Sequence, residues 1–283
     1  MFISPHQPTA MGIHYLYYSL DDMLEAQKRA GYESMELWCA VPHVLLTPEG
    51  VADRSELLKA VKHSGMELRC VTPENCMYPW QFAAKGEALI SQSFRYFRHG
   101  LELAADLESP YMAVNSGWGL ALEPPEEAMK RSLDMIFRLC QRAETLGVTL
   151  VMETLRPEES NLVTTLAAEQ QFLSTLNHSS LKPMVDTCAM AVAGESLEDW
   201  FSAFGTELCH MHFVDGTPYG HLAWGDGNRN LQEYAATLTR HNYCGALTQE
   251  ITDSRYYVNP EAADIQSLRI LKGQSYSCDL TTD

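Results

Sequence analysis

Basic residues are scarce in this chain: 20 Lys and Arg stand against 37 Asp and Glu, for a formal net charge of −17. Nucleic-acid binding rests on clustered cations that release counterions from phosphates, so neither DNA nor RNA is expected as a partner. An anionic membrane surface is disfavoured on the same ground. The eight cysteines, at positions 39, 70, 76, 140, 188, 209, 244 and 278, include no CxxC pair. That leaves reduced thiols rather than a disulfide frame or a thiolate zinc site. The stretch MFISPHQPTAMGIHYLYYSL has no basic leader running into a long apolar segment. No signal peptide or membrane span is therefore expected, and the cytoplasm is the expected location. Missing too are the GxxxxGK[ST] and GxGxxG fingerprints of nucleotide sites, for which Gly225-Asp226-Gly227 is too short a substitute. No Pro/Gly/Ser-rich linker divides the 283 residues. A single domain over 1–283 is expected, with 275–283 a loose polar tail.

What the chain does have is a rhythm. With 46% hydrophobic residues it can bury a large core, and short β-branched or apolar runs alternate with longer segments of three- and four-residue periodicity, as in βα units around a parallel sheet. Strands are expected at Ile13–Tyr17, Ser34–Trp38, Glu67–Val71, Tyr111–Asn115, Val148–Glu153, Pro183–Asp186, Cys209–Val214 and Ala246–Glu250. Amphipathic helices are expected over Asp21–Ala30, Glu87–Ala105 and Glu126–Leu146, with Gly31, Gly65 and Gly147 placed as left-handed C-caps. Ser19 and the pair Pro124-Pro125, each followed by acidic residues, supply helix starts. Eight strands at even spacing favour a closed (β/α)8 TIM barrel over an open doubly wound sheet.

In such barrels chemistry gathers where strands end. Four consecutive expected strands carry ionisable residues there: Glu153, Asp186, the group His210, His212 and Asp215, and Glu250. One strand-end carboxylate alone would serve equally well as a helix cap or a solvated loop residue. Three brought together on neighbouring strands repel one another unless a cation joins them. One imidazole and three carboxylates form a hard donor set, suited to a divalent Mn2+, Mg2+ or Co2+ more than to Zn2+. A metal-free pairing of Glu153 or Glu250 with His212 as acid and base is the alternative.

At these residues the chain resembles the sugar isomerase/epimerase family of xylose-isomerase-like barrels, in pattern nearest its fructoselysine 3-epimerase branch and more distantly the tagatose 3-epimerase-like enzymes. The resemblance runs from about Met11 to about Asn259. It is carried by Glu36-Leu37-Trp38 with Pro42-His43, Thr72-Pro73-Glu74 with Tyr78-Pro79, Met152-Glu153-Thr154-Leu155 with Glu159-Ser160-Asn161, Met184-Val185-Asp186, His210-Met211-His212 with Asp215, Gly225-Asp226-Gly227, and Thr248-Gln249-Glu250. It implies that Glu153, Asp186, His212 and Glu250 hold one divalent metal, that the two glutamates also carry protons, and that Glu159 contacts a substrate hydroxyl. The reaction implied is proton abstraction beside a carbonyl, through an enediolate, as in a 3-epimerase of a ketose or ketose-amine. Two positions depart from the simple ketohexose epimerases, which have a histidine where this chain has Ala189 and an arginine where it has Pro218. Both departures point away from a plain ketohexose.

Further polar contacts to a small carbohydrate are expected from His43, His221 and Glu74. Trp38, Trp118 and Trp224 offer flat apolar faces. His210, on the same strand face as His212, and Asp215 are expected behind the metal ligands. The rivals are a dehydratase or hydroxypyruvate-type isomerase on a small polyol or keto acid, a non-catalytic sugar-binding barrel, and an endonuclease IV-like repair enzyme. The last conflicts with Ala189 and with the acidic charge. The resemblance also implies a homodimer or homotetramer, for which Tyr256 and Tyr257 are candidate exposed aromatics.

Overall fold

The computed structural model describes residues 3–76 and 78–273; the tail expected at 275–283 lies outside them. Among the described residues ten strands occur in chain order: β1 (Pro8–Met11), β2 (Ser34–Cys39), β3 (Leu46–Thr47), β4 (Gly50–Val51), β5 (Glu67–Pro73), β6 (Tyr111–Asn115), β7 (Thr149–Glu153), β8 (Leu181–Asp186), β9 (His210–His212) and β10 (Leu247–Gln249). Helices α1 (Leu20–Ala30), α2 (Arg54–Ser64), α3 (Glu87–Asp106), α4 (Pro125–Leu146), α5 (Leu166–Leu176), α6 (Thr187–Val192), α7 (Leu197–Phe204), α8 (Leu231–Arg240) and α9 (Pro260–Leu271) lie between and after them. Eight strands close into a parallel barrel in the order β1-β10-β9-β8-β7-β6-β5-β2, and β3 and β4 form a separate antiparallel pair.

The expected first strand is a correction. Ile13–Tyr15 forms a 3-10 turn that buries His14 and Tyr15, while the barrel strand is the preceding Pro8–Met11. Strand β1 is buried throughout and short, so it shows no alternation to read, and Pro8 is tolerated because it opens the strand. The other seven expected strands are present within a few residues of their expected ends. The β3–β4 pair had no counterpart among the expectations.

Helix ends follow local chemistry. Ser19 and Asp22 make a reciprocal capping box at the start of α1, and Gly31, Gly65 and Gly147 close α1, α2 and α4 in the left-handed conformation at φ 104°, 70° and 71°. No helix among the described residues is long and apolar enough to cross a membrane.

Strand parity places the site. Met112 and Val114 of β6, and Leu150 and Met152 of β7, join the main core beneath the helices, whereas their neighbours Ala113 and Val151 cluster with Cys70 and Met184. Successive side chains alternate between faces, so the set that includes Ala113, Val151 and Met184 faces the barrel interior. Glu153, Asp186 and Glu250 share that parity, as do Glu36, His210 and His212. Full burial of side chains such as Leu150 and Met152 on the helix face stabilises by about 2 kcal/mol each. That packing fixes the strands that aim the polar residues inward.

Candidate active site

The inward-facing residues at the strand ends converge. Nδ1 of His212, at the end of β9, lies 2.7 Å from Glu153 Oε1 and 3.1 Å from Glu250 Oε2. The same Glu250 oxygen lies 3.1 Å from His221 Nε2, which is 3.0 Å from Asp186 Oδ2. Residues from four adjacent strands thus meet in one chain of contacts, Glu153–His212–Glu250–His221–Asp186. The potential ligand atoms of Glu153, His212 and Glu250 lie within 4.8 Å of one another, and so do those of Asp186, Cys188 and His221.

Asp186 also acts as the cap of α6, its Oδ1 accepting from the Cys188 N–H at 2.9 Å and its Oδ2 from the Ala189 N–H at 3.0 Å. A carboxylate has about four acceptor positions. Capping and ligation are therefore compatible.

Burial and mutual repulsion give these groups divided acidities. Burial pushes the Glu153 carboxyl up to about 7, with Glu250 and Asp186 adding to the rise and His212 opposing it. Burial acts on Glu250 in the same sense, but His212 and His221 outweigh it and hold that carboxyl well below the usual range. Asp186 is likewise held low, its burial outweighed by His221. For His212 burial favours the neutral ring, yet Glu250, Glu153 and Glu36 keep its proton on well above the ordinary imidazole range.

A divalent cation fits this donor set. Three carboxylates and two imidazoles face one another at the cavity floor, and the charged groups close to the carboxylates are the imidazoles themselves, with two backbone N–H groups besides on Asp186. Carboxylate and imidazole donors are those a hard divalent ion takes; the one sulfur nearby, on Cys188, groups with Asp186 and His221.

Above the cluster opens a cavity of about 970 Å3 at the C-terminal end of the strands, lined by Glu153, Asp186 and Glu250 together with Trp38, Glu74, Trp118, Glu159 and His221. Glu159 pairs with Arg156 in the cavity wall, accepting from its backbone N–H at 3.2 Å and from its guanidinium at 3.0 Å. Glu74 accepts the Trp38 indole N–H at 2.9 Å. Trp118 is 38% exposed at the rim.

Other expected residues fall elsewhere. His43 is buried, with Nε2 3.2 Å from the Tyr15 carbonyl, and is not among the lining residues. Trp224 is a core residue whose indole donates to the Phe213 carbonyl. Tyr256 is buried and donates to Asp226, which removes it as an exposed aromatic; Tyr257 lines the cavity. Among the described residues, the hydrogen bonds of the Asp215 carboxylate go to backbone N–H groups rather than to the four ligand candidates. It accepts the N–H groups of Gly216 and Arg229 on Oδ1, and those of Gly225 and Gly227 on Oδ2, and so ties down the loop that carries His221. A Cβ on Gly227 would lie 2.3 Å from Asp215 Oδ1, so this knot requires glycine there.

Two further residues join the site. Glu36, in the middle of β2, receives both His212 Nε2, at 3.0 Å, and His210 Nε2, at 2.7 Å. Burial acts to raise its carboxyl, and the His212 and His210 imidazoles outweigh it and hold it well below the usual range. Arg156 brings a cation to the cavity wall. A carboxylate flanked by the apolar, buried Met35 and Leu37 was the available signal for Glu36, since such a group persists only with partners. Nothing in the local sequence separates Arg156 from an ordinary loop arginine.

A family model described as the xylose isomerase-like TIM barrel matches residues 24–274. The chain belongs to that family. Among curated members, the fructoselysine 3-epimerase of Escherichia coli O157:H7 is 28% identical over 224 residues, 78% of this chain and 81% of the relative. A D-psicose 3-epimerase of Agrobacterium fabrum is 26% identical over 141 residues, 49% of this chain and 48% of the relative. Among solved structures, an E. coli 3-keto-D-glucoside 4-epimerase superposes with a TM-score of 0.79 at 16% identity, covering 94% of this chain and 99% of that one. The closed barrel expected from the strand rhythm, and its xylose isomerase-like type implied by the resemblance, are thus found, and that solved structure shares the fold.

Proposed function

We propose that the protein is a metal-dependent sugar epimerase, acting at the carbon beside the carbonyl of a ketose or ketose-amine. The observation that carries this reading is the placement of Glu153 and Glu250 on either flank of one imidazole at the cavity floor. Glu153, Asp186, His212 and Glu250 would hold the ion, with Mn2+, Mg2+ or Co2+ matching the donors better than Zn2+. When bound, the ion supplies positive charge against the oxygen on which an enediolate forms.

The chain's own residues do the rest. One glutamate removes the proton from the substrate carbon and the other returns a proton from the opposite face, which inverts the centre. That Glu153 and Glu250 come from strands on opposite sides of β9 supports such a two-sided transfer. Trp38, Trp118 and the walls of the cavity exclude water from the sugar, and Glu159, Glu74 and His221 take its hydroxyls or a substrate amine. The names of the relatives, which are epimerases of ketoses, a keto-glucoside and a ketose-amine, support the substrate class.

Ala189 N and the Pro218 carbonyl are engaged within the protein, with Asp186 and with Arg229 and Cys188 respectively. Neither residue offers the polar side chain found in the simple ketohexose epimerases, which favours a substrate other than a free ketohexose. Glu153→Gln and Glu250→Gln are each expected to lower kcat by about a hundredfold or more while leaving the circular dichroism and thermal midpoint near wild type. A variant of either kind that retains wild-type kcat removes that glutamate from the mechanism.

A further inference from the structure

Glu36 sits where a carboxylate should not be unless something keeps it. It is 1% exposed, in a strand whose neighbours Met35 and Leu37 are core residues. Its contacts run across the barrel interior, because β2 and β9 are not adjacent in the sheet. One oxygen faces His210 Nε2 at 2.7 Å. The other faces His212 Nε2 at 3.0 Å and accepts the Thr72 hydroxyl. Thr248 Oγ1 lies 3.4 Å from the same His210 nitrogen.

An ionised carboxylate only accepts hydrogen bonds, so this arrangement places the Nε2 proton of His212 on the Glu36 side. The other ring nitrogen, Nδ1, is thereby the atom turned toward Glu153 and Glu250. Imidazole ligands of metals are generally held in this way by an acceptor behind the ring, which fixes the tautomer and the ring plane and raises the basicity of the ligating nitrogen.

We propose that Glu36 is the positioning residue of the metal site: it holds His212 with Nδ1 presented to the cation, and His210 and Thr72 in turn hold Glu36. This rests on the reading of the Glu153, Asp186, His212 and Glu250 cluster as a metal site. Glu36 touches neither substrate nor ion, and it acts through His212 alone. His210, two residues along the same face of β9, serves Glu36 rather than the ion.

The test is Mn2+ binding to the metal-stripped full-length protein, read as loss of the free-ion EPR signal, with folding followed by circular dichroism and thermal midpoint. Glu36→Gln keeps the volume but cannot accept from both imidazoles at once, and is expected to weaken Mn2+ binding tenfold to a hundredfold. Glu36→Asp should recover part of that loss. Thr72→Val, which removes one support of the carboxylate, should shift affinity in the same direction by less. Ser19→Ala, at the start of α1 and far from the site, serves as a control that lowers stability and leaves affinity unchanged. In the cobalt-loaded protein Glu36→Gln should also change the visible absorption bands, which report ligand geometry.

If the wild-type chain binds Mn2+ and folded Glu36→Gln binds it within twofold of wild type, the positioning role is wrong and the metal reading stands. If Glu36→Gln does not fold, Thr72→Val decides by the same twofold criterion. If the wild-type chain binds no divalent ion, both readings fall together.

Discussion

Asp186 carries two duties on one carboxylate, capping α6 and facing His221, and the two can be separated by substitution. In Asp186→Asn the amide oxygen still accepts a backbone N–H, so chelator-treated protein should keep its stability to within about 1 kcal/mol. The lost charge should still weaken divalent-metal binding by roughly tenfold or more. Asp186→Ala should show the same metal defect with a further loss of about 1 kcal/mol from the missing cap. Paired isothermal titration and denaturant unfolding check this, and equal metal affinity in Asp186→Asn and wild type would contradict it.

His43 contributes to stability in a pH-dependent way. Burial draws its imidazole down from the ordinary 6.5 to about 4, against the opposing pull of the Tyr15 and Tyr18 carbonyls. Between these values the unfolded chain binds a proton that the folded chain refuses, so stability falls as pH drops from about 6.5 to 4, by up to about 3 kcal/mol. His43→Gln, which keeps a donor for Tyr15, should flatten that stretch of the stability–pH curve. An unchanged slope would show that His43 is not the group responsible. The ligand candidates were legible in the sequence because each ends a strand in a chain of regular βα units. Glu36 was not singled out for a role, because its partner His210 lies 174 positions away. Only barrel closure brings them together.

At the level of elements, the loop from Gly216 to Arg229 is organised by a single side chain. Asp215 gathers four backbone N–H groups, and the loop's His221 completes the contacts to Asp186 and Glu250. Hydrogen bonds to a charged acceptor are worth about 1.5–3 kcal/mol each, although they do not add simply when they share one carboxylate. Asp215→Ala is expected to cost about 3 kcal/mol and to speed amide exchange across 216–229 well before global unfolding. Unaltered exchange in that loop would refute the assignment. Strand ends and glycine caps were readable from sequence because their signals are local: Ser19 with Asp22, and Gly31, Gly65 and Gly147 after amphipathic helices. The first strand was misplaced because Ile13-His14-Tyr15 has the β-branched and aromatic composition of a strand. Its position just after Gly12 instead turns the chain inward, burying His14 against Asp264 at 3.2 Å. Tertiary pairing outweighed local propensity there.

On the scale of the whole molecule, closure of eight parallel strands removes every edge from the main sheet and leaves two unlike ends. The cavity and the convergent carboxylates occupy the end where the strands terminate in Asn115, Glu153, Asp186 and His212, in keeping with the placement of chemistry in barrels of this type. The acidic total that argued against nucleic acid is partly local to this end, where Glu74, Glu153, Glu158, Glu159, Asp186 and Glu250 line one cavity beside Arg156. Such a cavity attracts cations and discourages anionic substrates. The most direct measurement of the central claim is NMR of candidate ketoses and ketose-amines incubated in D2O with the Mn2+-loaded protein. Proton transfer through Glu153 and Glu250 predicts that the carbon beside the carbonyl loses its proton signal to solvent deuterium as the epimer accumulates, with no exchange after chelation. Epimer formed without deuterium would contradict the account.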